Sequence, residues 1–462
     1  MAADPDFKKH FTLSLQRPHC SKILISCSQT DDAAHEICDE DDTTTPSLYT
    51  LEDSPGARQI YFKQCVPLYN AALIGDWKTA KRIIEKDKSI LGASITKGWQ
   101  TVLHVAAGAR QVCFVKKLLK LLKEEDLVLQ DQNGNTPFCF AVAAGAVRVA
   151  KIMIQKNPRL PEIRGGQGMT PLYFAALFGH GHMASYLYPQ LIQMVDEGER
   201  AGIFFTCINN SLYGLALKML HDYPELAVAR NKNNETALHL LSQKPSAFSR
   251  KSSGIWKSFV HYCTNKGKLK NTQGLQLLKR LWEEVLCKNE GIVTDVIRRP
   301  SHVLFIAAKV GNFKFVAELL GSYPDLIWER DDKNRSLFHI AVMYHQARIF
   351  HLVHKLGLYK DFILSLTDDH NNNILHLAAK SPQHELNTVS RPGSRQMQSD
   401  VLWFEEVKKV VTPFYIDMKN SEGKTPRDIF REEHGGLLQR EQSWLRSTVQ
   451  RIQPSRLLSF RF

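Results

Sequence analysis

Residues 101–119 read TVLHVAAGARQVCFVKKLL, and their reading decides the fold. A threonine suited to cap a helix opens a short run of small and apolar residues, and Ala-Arg-Gln then turns the chain. The second run, VCFVKKLLKLL, carries apolar residues at i, i+3, i+4 and i+7, so the stretch encodes two short helices back to back. One residue does not suit an apolar helix, His104. It is either a chemical group or a piece of scaffold, and the rest of the chain chooses between these.

Aligning the chain with itself brings VPLYNAALIGD (66), TPFCFAVAAGA (136), TPLYFAALFGH (170), TALHLLSQK (236), HVLFIAAKVGN (302), SLFHIAVMYHQ (336) and NILHLAAK (373) under TVLHVAAGARQ (101). Their starts lie about 33 to 37 residues apart, or about twice that, which marks an internal repeat. Thr101, Thr136, Thr170 and Thr236 supply N-caps, and Pro137 and Pro171 sit at the first helical position, where the missing N–H costs nothing. Gly75, Gly145, Gly179 and Gly311 close the first helix. Second helices follow, as in VRVAKIMIQ, LYGLALKMLHD and FKFVAELLGS. Proline in KNPRLPEIRG, DYPELAVARN and SYPDLIWERD then stops the chain before a Leu or Ile re-enters the core. Polar turns such as QDQNGNT, RGGQGMT, NKNNET and DDKNRS lead to the next unit. A degenerate unit is expected near Ile203, and a closing one at Thr425.

A helix, a turn, a second helix and a protruding loop on this period resemble ankyrin repeats, whose consensus carries T-P-L-H-x-A. The expected fold is all-α, an ankyrin-repeat α-solenoid in two blocks with a disordered N-terminal arm. The arm spans 1–60, rich in Ser, Thr, Asp and Glu, and the first block 61–243. Residues 244–299 are read as the second helix of the preceding unit plus a basic, partly helical insertion that divides the solenoid, with roughly twelve Lys or Arg against about four acids. The second block with its cap spans 300–435, and a helical, basic tail 436–462. A second irregularity, 381–400, interrupts the last unit before its second helix, VLWFEEVKKVV.

With 43% hydrophobic and 23% charged residues, the 462-residue chain is globular material. Its net charge of +13 attracts nucleic acid, anionic membrane or acidic protein alike and selects none. The nine cysteines are scattered without a CxxC pair, which suits a reduced, intracellular compartment. The N-terminus lacks a signal-peptide core, and no apolar run reaches the length of a membrane span, so a cytoplasmic chain is expected.

In this register His239, His339 and His376 share the phase of His104, but the other units place Tyr69, Cys139, Tyr173 and Phe305 there. A metal needs ligands converging on one ion, whereas equivalent positions of a solenoid stand one repeat apart. His104 is therefore read as a hydrogen-bonding brace between neighbouring turns. His19, Cys20, Cys27, His35 and Cys38 fit no zinc module, and DDHNNN (368–373) lacks the Gly and closing Glu of a calcium loop. No phosphate loop, GxSxG, HExxH or kinase motif occurs. The expectation is a non-enzyme with no cofactor and no metal. Thr45-Pro46 and Ser54-Pro55 are candidate proline-directed phosphorylation sites in the arm, and Trp256 and Trp282 either insert beside the basic charges or pack on the solenoid.

The combination PLYNAALIGDWKTAKRII, ITKGWQTVLHVAAGARQVCFVKKLL, ILHLAAK and LWFEEVKKVVTPFYIDMKNSEGKTPRDIFREEHGGLLQREQSWL resembles a plant family, the ankyrin-repeat proteins with a C-terminal PGG membrane domain, relatives of the accelerated-cell-death and salt-tolerance ankyrin proteins. The resemblance implies a solenoid at the plasma membrane acting in defence, reactive-oxygen or salt-stress signalling. Where such proteins run into membrane helices, this sequence reads RIQPSRLLSFRF, whose Arg446, Arg451, Arg456 and Arg461 neighbourhood suits weak contact with an anionic bilayer.

The expected function is a scaffold for protein–protein interactions in plant stress or defence signalling. Its partners are proteins, related ankyrin membrane proteins among them, bound on the concave face of turn tips and first helices. Trp99, Asn133, Gln167, Asn233 and Asn334 are the candidate partner-binding residues; the competing reading of these is ordinary turn chemistry. Two alternatives remain: a membrane-associated regulator or soluble competitor of full-length relatives, and a nucleic-acid-associated factor using Lys266, Lys268, Lys270, Lys279 and Arg280, the less favoured of the two.

Overall fold

A computed structural model describes residues 44–248, 272–357, 359–380 and 393–435, the side chains of 393–396 excepted. These residues form helices and turns, with two isolated β-bridges, Ser47–Ala93 and Arg330–Ser336. The fold is the all-α ankyrin solenoid.

First helices pack in one row: Val66–Ile74, Val102–Gly108, Pro137–Ala143, Pro171–Leu177, Glu197–Asn209, Ala237–Ser242, Val303–Lys309, Leu337–Met343 and Ile374–Ala378, each against the next. Their small residues decide the spacing. Ala72, Ala106, Ala107, Ala141, Ala175, Ala176, Ala307, Ala308 and Ala341 are fully buried, and only a methyl group lets helices of successive units approach so closely. The second helices bring the bulk, with Phe114, Leu118, Met153, Leu187, Met219, Trp282, Phe315 and Leu319 buried behind the row. The loop after each second helix returns one aliphatic anchor, as expected: Ile90, Leu127, Leu160, Leu226 and Leu326 are all buried. Each such anchor contributes about 1.5–3 kcal/mol of burial.

Three expectations are corrected. The arm is shorter than 1–60: Tyr49–Leu51 and Pro55–Ile60 are helical, Thr50 is buried with its hydroxyl donating to the Ser94 carbonyl at 2.5 Å, and Ser54 caps the second of these helices by accepting from the Ala57 amide. Of the two candidate phosphorylation sites, Ser54 thus serves as a helix cap. The degenerate unit starts earlier than Ile203, at Glu197, where Asp196 accepts from the Glu199 amide and extends the first helix.

The third correction concerns the division into two blocks, because the row runs without a break from Ala237–Ser242 to Val303–Lys309. Gln273–Leu286 packs on the preceding second helix, Tyr213–Asp222, and is itself a second helix, with Trp282 buried in the core. The segment before it, 249–271, which includes Trp256, Lys266, Lys268 and Lys270, lies outside the described residues. Its described flanks, Phe248 and Thr272, lie within one repeat, between the two helices, and the stack of described helices is continuous. The interruption at 381–392 falls at the same place in its own repeat, ahead of the second helix Gly393–Val410. A helix also follows Thr425, whose hydroxyl bonds Asp428 Oδ2 at 2.7 Å.

Candidate protein-interaction surface

Seven of the fingers between units share one backbone turn. The residue two before the N-cap is left-handed: Trp99, Gly134, Gly168, Asn234, Asn334, Asn371 and Gly423 all have φ between 56° and 80°. In five of them the residue five before the N-cap is a keystone. Asp131 Oδ1 accepts from the Asn133 and Asn135 amides at 2.9 and 2.8 Å, and Asn231, Asp331, Asp368 and Asn420 repeat this geometry. A short side chain with one accepting oxygen satisfies two amides that the tight turn leaves without partners. The preference for Asp or Asn at this position is visible in DQNGNT, NKNNET, DDKNRS, DDHNNN and NSEGKT, a signal the capping and turn patterns had obscured.

The candidate residues all fall in these fingers. Asn133, Gln167, Asn233 and Asn334 are exposed, at successive tips, and Gln167 is itself left-handed with φ 60°. Trp99, chosen as an exposed aromatic, is half-buried, and it occupies the left-handed turn position that Gly or Asn fills elsewhere. Asn334 accepts from Arg330 at 2.7 Å.

His104 is fully buried and closes a capping box: the Thr101 amide donates to its Nδ1 at 3.0 Å, which leaves Nε2–H to donate to the Asn135 carbonyl of the next finger at 3.0 Å. The ring takes the place of the Glu or Gln usual in such a box and reaches one repeat further. His239 and His376 do the same towards the Ser301 and Lys424 carbonyls, at 2.9 and 3.2 Å. His339 keeps the box with Ser336, but its Nε2 finds no partner among the described residues. Burial holds His104 and His339 neutral, with pKa values pushed down to about 4, and it lowers His239 and His376 in the same direction.

A second ladder runs along the other end of the first helices. Gln111 donates to the Leu73 carbonyl, His180 to Ala143, Asn210 to Ala176 and Leu177, Lys244 to Ile208 and Asn209, Asn312 to Leu241 and Ser242, and Gln346 to Lys309, at 2.8–3.1 Å. Trp403 Nε1 completes the series on the Val342 carbonyl at 3.2 Å. Each donor pairs the helix-end carbonyls of the unit before it. The Asn312 rung spans the interval once read as a division.

One inter-finger cleft, of about 690 Å³, lies between 298–309 and 328–335. Its unit departs from the plan. His302 replaces the N-cap threonine and Phe305 the histidine, so no capping box forms. The His302 ring stacks on Phe305, with centroids 4.1 Å apart, and approaches Glu329 at 3.3 Å. Arg298 grips the same carboxylate through Nε and Nη2, at 3.0 and 2.9 Å. His302 and then Arg298 hold the Glu329 carboxyl down at about 2, against the upward push of burial.

Among the described residues no group of three His, Cys, Asp or Glu is placed to hold a metal ion, and no helix is long and apolar enough to cross a membrane. The Cys/His set at 19–38 lies outside the described residues.

Comparison with known proteins gives the class of the repeats. Residues 103–197 match the model of ankyrin repeats in three copies. At the level of individual proteins, the chain is 28% identical over 122 residues to ankyrin repeat domain-containing protein 63 of Mus musculus, covering 25% of this chain and 31% of that protein. The Homo sapiens protein of that name matches over the same length, and 32% of it is covered. A putative E3 ubiquitin-protein ligase, XBAT31 of Arabidopsis thaliana, is 24% identical over 115 residues, 25% of each chain. The chain thus spans a third or less of the curated relatives it matches.

Proposed function

We propose that this protein is a non-enzymatic scaffold that binds partner proteins along its row of fingers and first helices. The observation that carries the reading is the repetition itself: the finger turn recurs, held at 131, 231 and 331 by the same keystone, with bonds from each unit to the next, while the tip residues at 133, 167, 233 and 334 are exposed. A rigid frame with variable, solvated tips suits recognition of extended surfaces. Pull-down with the full chain tests it. Alanine at Trp99, Asn133, Gln167, Asn233 and Asn334 together should release at least one partner that the parent chain retains; retention of every partner would refute the assignment of those residues.

We assign the scaffold to plant stress or defence signalling, acting beside membrane-anchored relatives as regulator or competitor. What supports this is the resemblance carried by 402–446 to the PGG-domain ankyrin proteins, and the match to a plant ankyrin protein is in keeping with it. Fractionation tests the assignment: the chain should move to the membrane fraction when such a relative is co-expressed, and an unchanged distribution counts against it. The nucleic-acid reading has less support, because Lys279 already pairs with Glu318 at 3.6 Å and Arg280 with Glu284 at 2.6 Å.

A further inference from the structure

The cleft at 298–335 differs in charge from an ordinary finger surface. Two of its three acids are already neutralised: Glu329 by Arg298 and His302, and Asp331 by Arg335, whose guanidinium lies 2.5 Å away. Of the lining cations, Lys309 and Lys333 are exposed and form no ion pair among the described residues, and Arg330 meets only the neutral Asn334 side chain. Asp332 is the one acid left to oppose these three.

The cleft has an apolar wall as well. Trp328 is 45% exposed at its edge and meets Tyr359 edge-on, with centroids 6.0 Å apart, so a large aromatic face stands in water beside the cations. Behind it, the His302 side chain is 9% exposed, and its Nδ1 is buried without a hydrogen-bond partner. A buried polar atom left unpaired is costly.

We propose that this cleft takes an extended acidic peptide from a partner protein, its carboxylates meeting Lys309, Arg330 and Lys333 and an apolar side chain lying on Trp328. The proposal rests on the scaffold reading and adds to it the chemistry of one partner segment. The cations supply attraction and selectivity, and the exposed tryptophan supplies an anchor. The fixed Arg298–Glu329–His302 arrangement keeps the floor from repelling the ligand.

The test is a random dodecapeptide phage library panned on the full chain. The most enriched peptide is then synthesised with a fluorophore for anisotropy titration. The expected result is enrichment of Asp and Glu around one aromatic or aliphatic residue, with affinity falling as salt rises. The Lys309→Glu/Lys333→Glu variant should weaken that peptide by tenfold or more, and Trp328→Ala by severalfold. Lys116→Glu/Lys120→Glu, which makes the same charge change on exposed residues of another unit, should leave it unchanged. All substituted residues are exposed, and matching circular dichroism melts establish that the variants fold. Enrichment without acidic bias, no enrichment, or equal weakening by both lysine pairs overturns the proposal. Peptides or partners that instead depend on the finger tips at 99, 133, 167 and 233 overturn it while leaving the scaffold reading intact; loss of partner binding altogether in the pull-down is what sinks the scaffold.

Discussion

Replacing Asn312 by Ala breaks the rung that joins the repeats on either side of the basic insertion. The side chain is 2% exposed, and its amide donates to the Leu241 and Ser242 carbonyls at 3.0 Å each, while its oxygen accepts a longer bond from the Phe315 amide at 3.4 Å. Two inter-repeat bonds at about 1 kcal/mol each, the Ser242 carbonyl losing its side-chain donor, and a weak cap lost at the low end of its range together cost about 3 kcal/mol. Gln111→Ala, which removes one solvent-accessible bond to Leu73, costs about 0.5–1 kcal/mol by the same reasoning. Urea titration followed by far-ultraviolet circular dichroism measures both. Because a repeat array is held by nearest-neighbour interfaces, Asn312→Ala should also split the transition, with the units before and after the interface melting apart. A loss below about 1 kcal/mol, or one equal to that of Gln111→Ala, would refute the inference that this rung carries the stack across residues 244–299.

Acid should loosen the array. His104 and His339 have folded pKa values of about 4 against about 6.5 unfolded, so their contribution is complete above pH 6.5 and is withdrawn as pH falls towards 4. Between about pH 7.5 and about pH 5 each costs about 2 kcal/mol, and His104→Phe should flatten that part of the pH–stability curve. His434 works with the opposite sign. Burial disfavours its charge, but the bond to Asp400 at 3.2 Å and the Phe430 carbonyl at 2.9 Å raise its pKa overall. The C-terminal cap should therefore weaken as pH climbs above about 6.5, and Asp400→Asn should remove the dependence, as read by proteolysis of the cap across pH. Gly274→Ala drives a methyl group onto the Ala247 carbonyl and should cost about 1–3 kcal/mol, measured as a lowered urea midpoint.

The repeat was legible because its signals are local. Thr and Pro at a helix start, Gly at its end and a Leu after the proline each act within a few residues, and the structure places them as read. His104 was legible for the same reason: finding Tyr, Cys and Phe in its phase identified a brace, and the bond to Asn135 is that brace. What the sequence concealed depends on partners far along the chain. The donors Gln111, His180, Asn210, Lys244, Asn312 and Gln346 share no residue type, because a helix-end carbonyl accepts from an amide, an imidazole or an ammonium alike. A second helix of the preceding unit within 244–299 is legible in the sequence, and Gln273–Leu286 is that helix; the unbroken stacking of Ala237–Ser242 on Val303–Lys309 is not, since periodicity measured along the chain cannot register neighbours so far apart. At the candidate surface the tips were found, but the cleft was not. Its distinctive feature, His302 in place of threonine and Phe305 in place of histidine, reads in the sequence as degeneracy.

The ends of the interval 249–271 have a consequence of their own. Phe248 is buried, Thr272 caps the following helix, and the Thr272 hydroxyl donates to the Ala247 carbonyl at 3.3 Å, so the chain leaves and re-enters the stack one hydrogen bond apart. With both ends fixed, added length is opposed only by closure entropy, which grows by about 0.6 kcal/mol for each doubling. The turn between the first and second helix is thus a place where the number of residues along the chain is uncoupled from the spacing of the stack, because the two described ends meet whatever joins them, while the finger side stays on a fixed ruler.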